Sequence, residues 1–298
     1  MKNKAGIICI SSITVLGDLL LSLKFSGNLL SDAFGFLLAF LAAVLLLFVI
    51  KYIVSIWDKL NFKGKKILHL TFLFLSVLIL ITTALFTAHN FSCYAAQIML
   101  SVNDVFLPFV SVFAIALFLA FGGKKVLLKI SVLTFPLVFV VIVFMFAFSV
   151  QFMNIKYLLP HKPINISLLS SFVPLLLNLS ASAVPIVFLG KEQKGKSLVA
   201  SYLLSFFVFI LSVVNVLALF GSELAATLNY PYSVSVSTAS MGEIFSRLDG
   251  FFYAVAFFTA LIRIAVCIYS AKEIALSFFC EIKANFFNFT IEKRKEMW

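Results

Sequence analysis

Polar residues in this chain gather in short clusters, and the stretches between them stay apolar over bilayer length. A helix needs about 20 predominantly apolar residues to cross a ~30 Å hydrocarbon core. Residues 5–25, 33–54, 66–88, 104–122, 126–152, 166–190, 197–221 and 248–270 meet that condition. The pattern predicts an all-α polytopic membrane protein, a single bundle of about eight transmembrane helices over residues 1–270. The remainder, 271–298, reads differently. Ile274, Leu276, Phe278, Phe279, Ile282, Phe286 and Phe287 are spaced among Lys, Glu and Asn. That spacing predicts an amphipathic cytoplasmic tail lying on the membrane surface. Segment 222–247 is polar and turn-rich, and is expected to cap the outer mouth of the bundle.

The sixth apolar stretch is the most informative. Within SLLSSFVPLLLNLSASAVPIVFLG, Pro174 and Pro185 bracket Asn178, Ser180 and Ser182. A proline has no N–H to give the carbonyl four residues earlier, here Ser170 and Ala181. Lipid offers such a carbonyl no partner, so an interrupted span is tolerated only against protein or a water-filled cavity. Discontinuous spans build midplane binding sites in many transporters. A break here, beside a solute cavity, is therefore expected. Asn178 is the preferred solute contact, because a buried amide needs partners on both its oxygen and its nitrogen.

Composition agrees with the pattern. The 298 residues are 63% hydrophobic and 12% charged, with mean hydropathy +1.14. No soluble domain of this length has that balance. The net charge of +11 does not indicate nucleic acid, because its placement follows membrane topology. All but five of the 23 Lys and Arg residues collect on one side, in the two termini and in alternate loops with the span ends beside them. The exceptions are Lys24, Lys156, Lys162, Arg247 and Arg263. This asymmetry places both termini in the cytoplasm. Without a basic, aromatic-interleaved stripe on a soluble module, nucleic-acid binding is excluded. Cys9, Cys93, Cys267 and Cys280 are scattered and support neither a zinc site nor a disulfide framework. Lys2 and Lys4 precede an apolar run without a small-x-small cleavage pattern, so the first span reads as a retained helix.

Two charged residues, Asp18 and Arg263, sit well inside predicted spans, about seven residues from the nearer end. Asp18 follows Gly17 in the first, where Ser11, Ser12 and Thr14 also weaken the helix. Asp at a helix centre costs about 2.5–3.5 kcal/mol on insertion scales, so a partner or water is expected. Gly17 and Asp18 read as a solute or proton site on an unwound part of the span; the alternative is a carboxylate near the outer interface. Arg263 lies in the last span, about seven residues from its predicted cytoplasmic end, where a long stem can snorkel. Its other reading is an anion contact or gate. Ser76, Thr83 and Thr87 make a polar stripe on the third span, which suits helix contact or solute contact, with Thr83 the candidate. Asn215 is a second buried amide, in the seventh span. His69, His89 and His161 do not cluster. No Ser/His/Asp order, paired carboxylates, HExxH motif or phosphate loop occurs, so no enzyme, catalytic residue, cofactor or metal is expected.

Several stretches, in order, resemble the spore germination permease family. These are the B-type membrane subunits of endospore germinant receptors, related to amino acid–polyamine–organocation transporters. The main match runs from Tyr230 to Ala271, with Tyr230–Pro231, Gly242, Arg247–Leu248–Asp249 and Arg263. Leu158–Leu159–Pro160, the SDAF of Ser31 to Phe34, and the Gly122–Gly123 turn with its lysines add to it. The resemblance, over nearly the whole chain, implies an inverted-repeat transporter fold with broken spans one and six, expected to be truncated here because eight spans are predicted where relatives have ten. It implies sensing of a small nutrient such as an amino acid at the inner spore membrane. It also implies A-type and lipoprotein C-type partner subunits. Ligand contacts would come from Gly17, Asp18, Thr83, Pro174, Asn178, Ser180 and Ser182. Gating or coupling would fall to Arg247, Asp249 and Arg263. An ion-coupled amino-acid transporter, or a structural membrane subunit without its own ligand, are the alternatives.

Overall fold

A computed structural model describes the backbone of residues 2–21, 23–57, 66–100, 104–159, 163–164, 168–189, 195–238 and 248–295. The side chains of residues 2–4, 18, 56–57, 66–70, 99, 195–196, 248–249 and 278–295 lie outside the described set. The helices are α1 (Lys2–Leu19), α2 (Leu29–Trp57), α3 (Lys66–Tyr94), α4 (Phe106–Phe121) and α5 (Gly123–Ser149). They continue with α6 (Leu168–Leu189), α7 (Gly195–Thr227), the short α8 (Pro231–Thr238) and α9 (Leu248–Lys295). No strand occurs among the described residues.

Six stretches are long and apolar enough to cross a bilayer: Leu29–Ser55, Thr71–Ile98, Gly123–Phe152, Leu168–Leu189, Ser197–Thr227 and Gly250–Ser277. Two shorter apolar helices, Ala5–Gly17 and Phe106–Phe121, stand where the first and fourth segments were expected. The chain is a helical membrane protein. Its outward faces are greasy: Leu45, Phe118 and Leu133 are among the exposed large apolar side chains. In water such surface would be a liability; in lipid it is the natural boundary.

Four boundaries differ from the sequence expectation. Helix α1 stops at Leu19, and Leu20, Leu21, Leu23 and Phe25 continue without helix yet buried. Gly17 and the hydroxyl residues before it give this end little helical preference. Helix α6 is not broken: it runs through both Pro174 and Pro185. Proline bends a membrane helix without ending it when neighbours take up loose backbone groups. Between the two prolines the Leu179 carbonyl also accepts the Tyr202 hydroxyl at 3.1 Å and Ser182 Oγ at 2.7 Å, which ties this stretch of α6 to α7. Helix α7 carries a kink instead, at Gly221, whose φ of 73° is open mainly to glycine. Helix α9 continues past residue 270 without interruption, so the apolar span and the tail share one helix.

Helix α9 is the centre of the bundle. Two thirds of its apolar window is buried (67%), against 33% for α2, which lies at the periphery on α6. Helix α9 packs on α3, α1, α4, α5 and α6. Small and hydroxyl residues let the backbones approach, as membrane packing favours. Ser12 Oγ on α1 donates to the Ser201 carbonyl on α7 at 3.2 Å, and Ser205 Oγ returns a bond to the Ser12 carbonyl at 3.1 Å. Gly35 on α2 rests against Ser171 of α6. Asn215 joins α7 to α5: its Oδ1 accepts Ser149 Oγ at 2.5 Å, while its Nδ2 is buried with no hydrogen-bond partner. At the other end of α3, Tyr94 packs edge-on against Tyr230, Phe252 and Tyr253, and its hydroxyl meets Ser233 Oγ at 3.3 Å.

Candidate functional site

Asn178 stands near the middle of the apolar stretch of α6, and Arg263 near the middle of Gly250–Ser277 on α9. At ~1.5 Å rise per residue, both lie about 15 Å or more from either end of their stretches. The two side chains meet. Arg263 Nη1 donates to Asn178 Oδ1 at 2.6 Å, and Nη2 donates to the Asn178 backbone carbonyl at 3.4 Å. Arg263 is only 1% exposed, so its stem does not snorkel to an interface. The expectation of a residue close to the cytoplasmic end fails because the apolar stretch runs on to Ser277.

This pair is incompletely satisfied. Arg263 Nε is buried with no hydrogen-bond partner. Among the described residues no carboxylate bonds to the guanidinium; its hydrogen bonds go to Asn178. An arginine at the centre of a span costs about 2.5–3.5 kcal/mol on insertion scales, and one neutral amide offsets part of that. Buried cations ordinarily sit beside an anion. The guanidinium thus keeps one donor beyond those given to Asn178.

Helix α1 holds the arginine from behind. A Cβ built at Gly17 would lie 2.7 Å from the Thr259 carbonyl oxygen, 2.8 Å from Arg263 Cβ and 3.0 Å from Arg263 Cδ. Any side chain there would push α1 off α9. Gly17, expected as a ligand contact, acts by letting α1 close on the arginine stem.

In front of the arginine lies a cavity of about 740 Å³ between α2, α3 and α6. Thr83, Pro174, Asn178 and Ser180, all expected at a ligand site, line it together with Arg263. So does Ala181, whose carbonyl Pro185 leaves without its helical donor. The rest of the wall is apolar, from Leu46, Ile50, Ile79, Phe86, Leu177 and Val184. Ser182 is not on this wall; it turns to α7, where its Oγ lies 3.4 Å from the Tyr202 hydroxyl. The α6 prolines thus flank a cavity wall on a continuous helix. Arg247 and the side chains of Asp18 and Asp249 lie outside the described residues.

One buried acid escaped the sequence reading as a candidate. Asp32, in the first turn of α2, is fully buried. Its Oδ1 accepts the Ser26 N–H at 2.7 Å, while Oδ2 has no hydrogen-bond partner. An acid opening a helix is ordinarily an exposed, dipole-favoured group, so nothing local marks it as buried.

Comparison with protein-family models and with curated proteins finds no match for this sequence.

Proposed function

We propose that the chain is a non-enzymatic, solute-sensing membrane subunit, with both termini cytoplasmic. It binds a small carboxylate-bearing nutrient at Arg263 and Asn178. The observation that carries this reading is the buried guanidinium on a cavity wall, with one N–H unpartnered and no described carboxylate bonded to it. A charge placed that deep in apolar helices is expensive unless function retains it. The resemblance to spore germination permeases supplies the setting: a germinant receptor with A-type and C-type partner subunits, and an amino acid as the implied class of nutrient. The test is equilibrium binding of a panel of labelled amino acids and organic acids to the purified chain in nanodiscs, with Asn178→Ala alongside. Saturable binding weakened about tenfold or more by the substitution supports the reading. Carboxylate binding indifferent to position 178 removes it.

A second reading, ion-coupled uptake, is favoured by Asp32. A wholly buried acid with one unpartnered oxygen in a membrane helix is a candidate proton carrier. Uptake of labelled nutrient into liposomes that collapses with the proton gradient, and is abolished in Asp32→Asn, would select transport over sensing.

A further inference from the structure

The charge and lining of the cavity point to a carboxylate other than the amino acid that the resemblance implies. We propose that the groove takes a monoanionic alkyl carboxylate from the lipid phase, with its carboxylate on Arg263 and its chain along α2, α3 and α6. This rests on Arg263 being the solute anchor. The formal charge of the described lining is that of Arg263 alone, since no Asp, Glu or Lys contributes to it. A single negative charge completes it. A zwitterionic amino acid would also bring an ammonium to a described wall that offers it neutral acceptors, such as the Ala181 carbonyl, and no described anion, and an incompletely paired buried charge is costly. A dicarboxylate would leave its second charge stranded for the same reason.

The donors point the same way. Nε–H of Arg263 is unpartnered but closed off from the groove. A carboxylate reaches this edge once the guanidinium turns toward the groove, and the adjacent Nη2 bond to the Asn178 carbonyl, long at 3.4 Å, is the one to give way. The Nε and Nη2 edge of a guanidinium presents two parallel donors, the geometry a carboxylate accepts in bidentate fashion. The hydroxyls on the wall are already committed as donors. Thr82 donates to the Leu78 carbonyl at 2.9 Å, Thr83 to Ile79 at 2.7 Å and Ser180 to Leu177 at 2.9 Å. A solute with many polar groups would find few free donors besides the arginine.

The remaining wall and its opening suit hydrocarbon. Phe86 and Leu177, 60% and 64% exposed, stand at the rim on the outward faces of apolar spans. That rim faces lipid, so a ligand arriving sideways need not cross water. A cavity of about 740 Å³ falls within the ~300–1,000 Å³ of sites that enclose drug-sized ligands. Because the bilayer already solvates an alkyl chain, selection against neutral lipid must come from the carboxylate–guanidinium pair.

The test uses the full chain in phosphatidylcholine nanodiscs with radiolabelled laurate as probe. Saturable binding is expected, displaced by unlabelled laurate and at least tenfold less well by methyl laurate, L-leucine or succinate. Arg263→Gln should weaken laurate at least tenfold. A second variant, Leu177→Trp, keeps the arginine and places a reporter at the rim. Its added fluorescence should be quenched by 11-bromoundecanoate at least twofold more than by the corresponding methyl ester. Equal displacement by methyl laurate, unchanged binding in Arg263→Gln, or equal quenching by acid and ester would overturn the proposal. If L-leucine binds through Arg263 and laurate does not, the lipid-phase carboxylate is refuted while solute sensing stands. If neither binds through Arg263, both readings fall.

Discussion

Replacing Asn178 by leucine removes the acceptor that holds Arg263 and leaves a guanidinium buried among apolar helices. A hydrogen bond to a charged group contributes about 1.5–3 kcal/mol net, and stranding a buried charge adds to that loss. The 2.6 Å bond to Oδ1 is the strong member of the pair; the 3.4 Å bond to the backbone survives the substitution. We expect Asn178→Leu to cost about 2–4 kcal/mol. Arg263→Met removes the charge and keeps an apolar stem, so it should cost less, about 1–2 kcal/mol. The double variant replaces a polar pair with an apolar one and should fall within about 1 kcal/mol of the parent. The coupling between the positions is then about 2 kcal/mol or more. Reversible unfolding in mixed micelles, with SDS as denaturant and far-UV circular dichroism as readout, measures all four proteins. Additivity within about 0.5 kcal/mol would show that the two side chains do not depend on each other, and would refute the reasoning.

Gly17→Ala should destabilise by about 1–3 kcal/mol or more, because its Cβ meets the rigid Thr259 carbonyl at 2.7 Å; a thermal shift in detergent checks this, and an unchanged midpoint would contradict the close approach. Gly221→Ala should cost about 1–2 kcal/mol through its φ of 73°, whereas a parent-like melting curve would mean the kink relaxes freely. Tyr202→Phe loses the bond to the Leu179 carbonyl and should cost about 0.5–1.5 kcal/mol by the same melting assay. In a cysteine-free background, a membrane-impermeant maleimide applied to intact cells should label a cysteine at Lys156 and not one at Lys124; the reverse would invert the orientation drawn from the lysines.

Where the helices fall was legible because lipid leaves so little choice. Each described apolar segment carries a helix, six of them long enough to cross a bilayer. Their ends were less legible. Lys272 and Glu273 read as the close of the last span, yet α9 carries them without a break. That extension moves Arg263 from a snorkelling position to the middle of the bundle. The two prolines promised a break in α6 and flank a cavity wall on a continuous helix instead, because packing against neighbouring helices holds the segment together through each missing N–H. Asn178 could be singled out from its own neighbourhood. Its partner could not: Arg263 lies 85 residues away, and only the packing of α9 against α6 brings them together. Asp32 stayed hidden because its burial is made by the turn at Ser26 and by neighbouring helices, not by its own sequence context.

The chain has three arginines, Arg247, Arg263 and Arg294, so a protein labelled with ¹⁵N-arginine gives few side-chain Nε signals, and Arg263→Lys identifies the one that matters. The account predicts that this Nε starts at the position of a weakly hydrogen-bonded guanidinium. It should then shift downfield, saturably, as laurate is added to the nanodiscs, and stay in place with methyl laurate. An Nε signal that ignores the carboxylate at saturating concentration would show that the buried charge is not waiting for an anion.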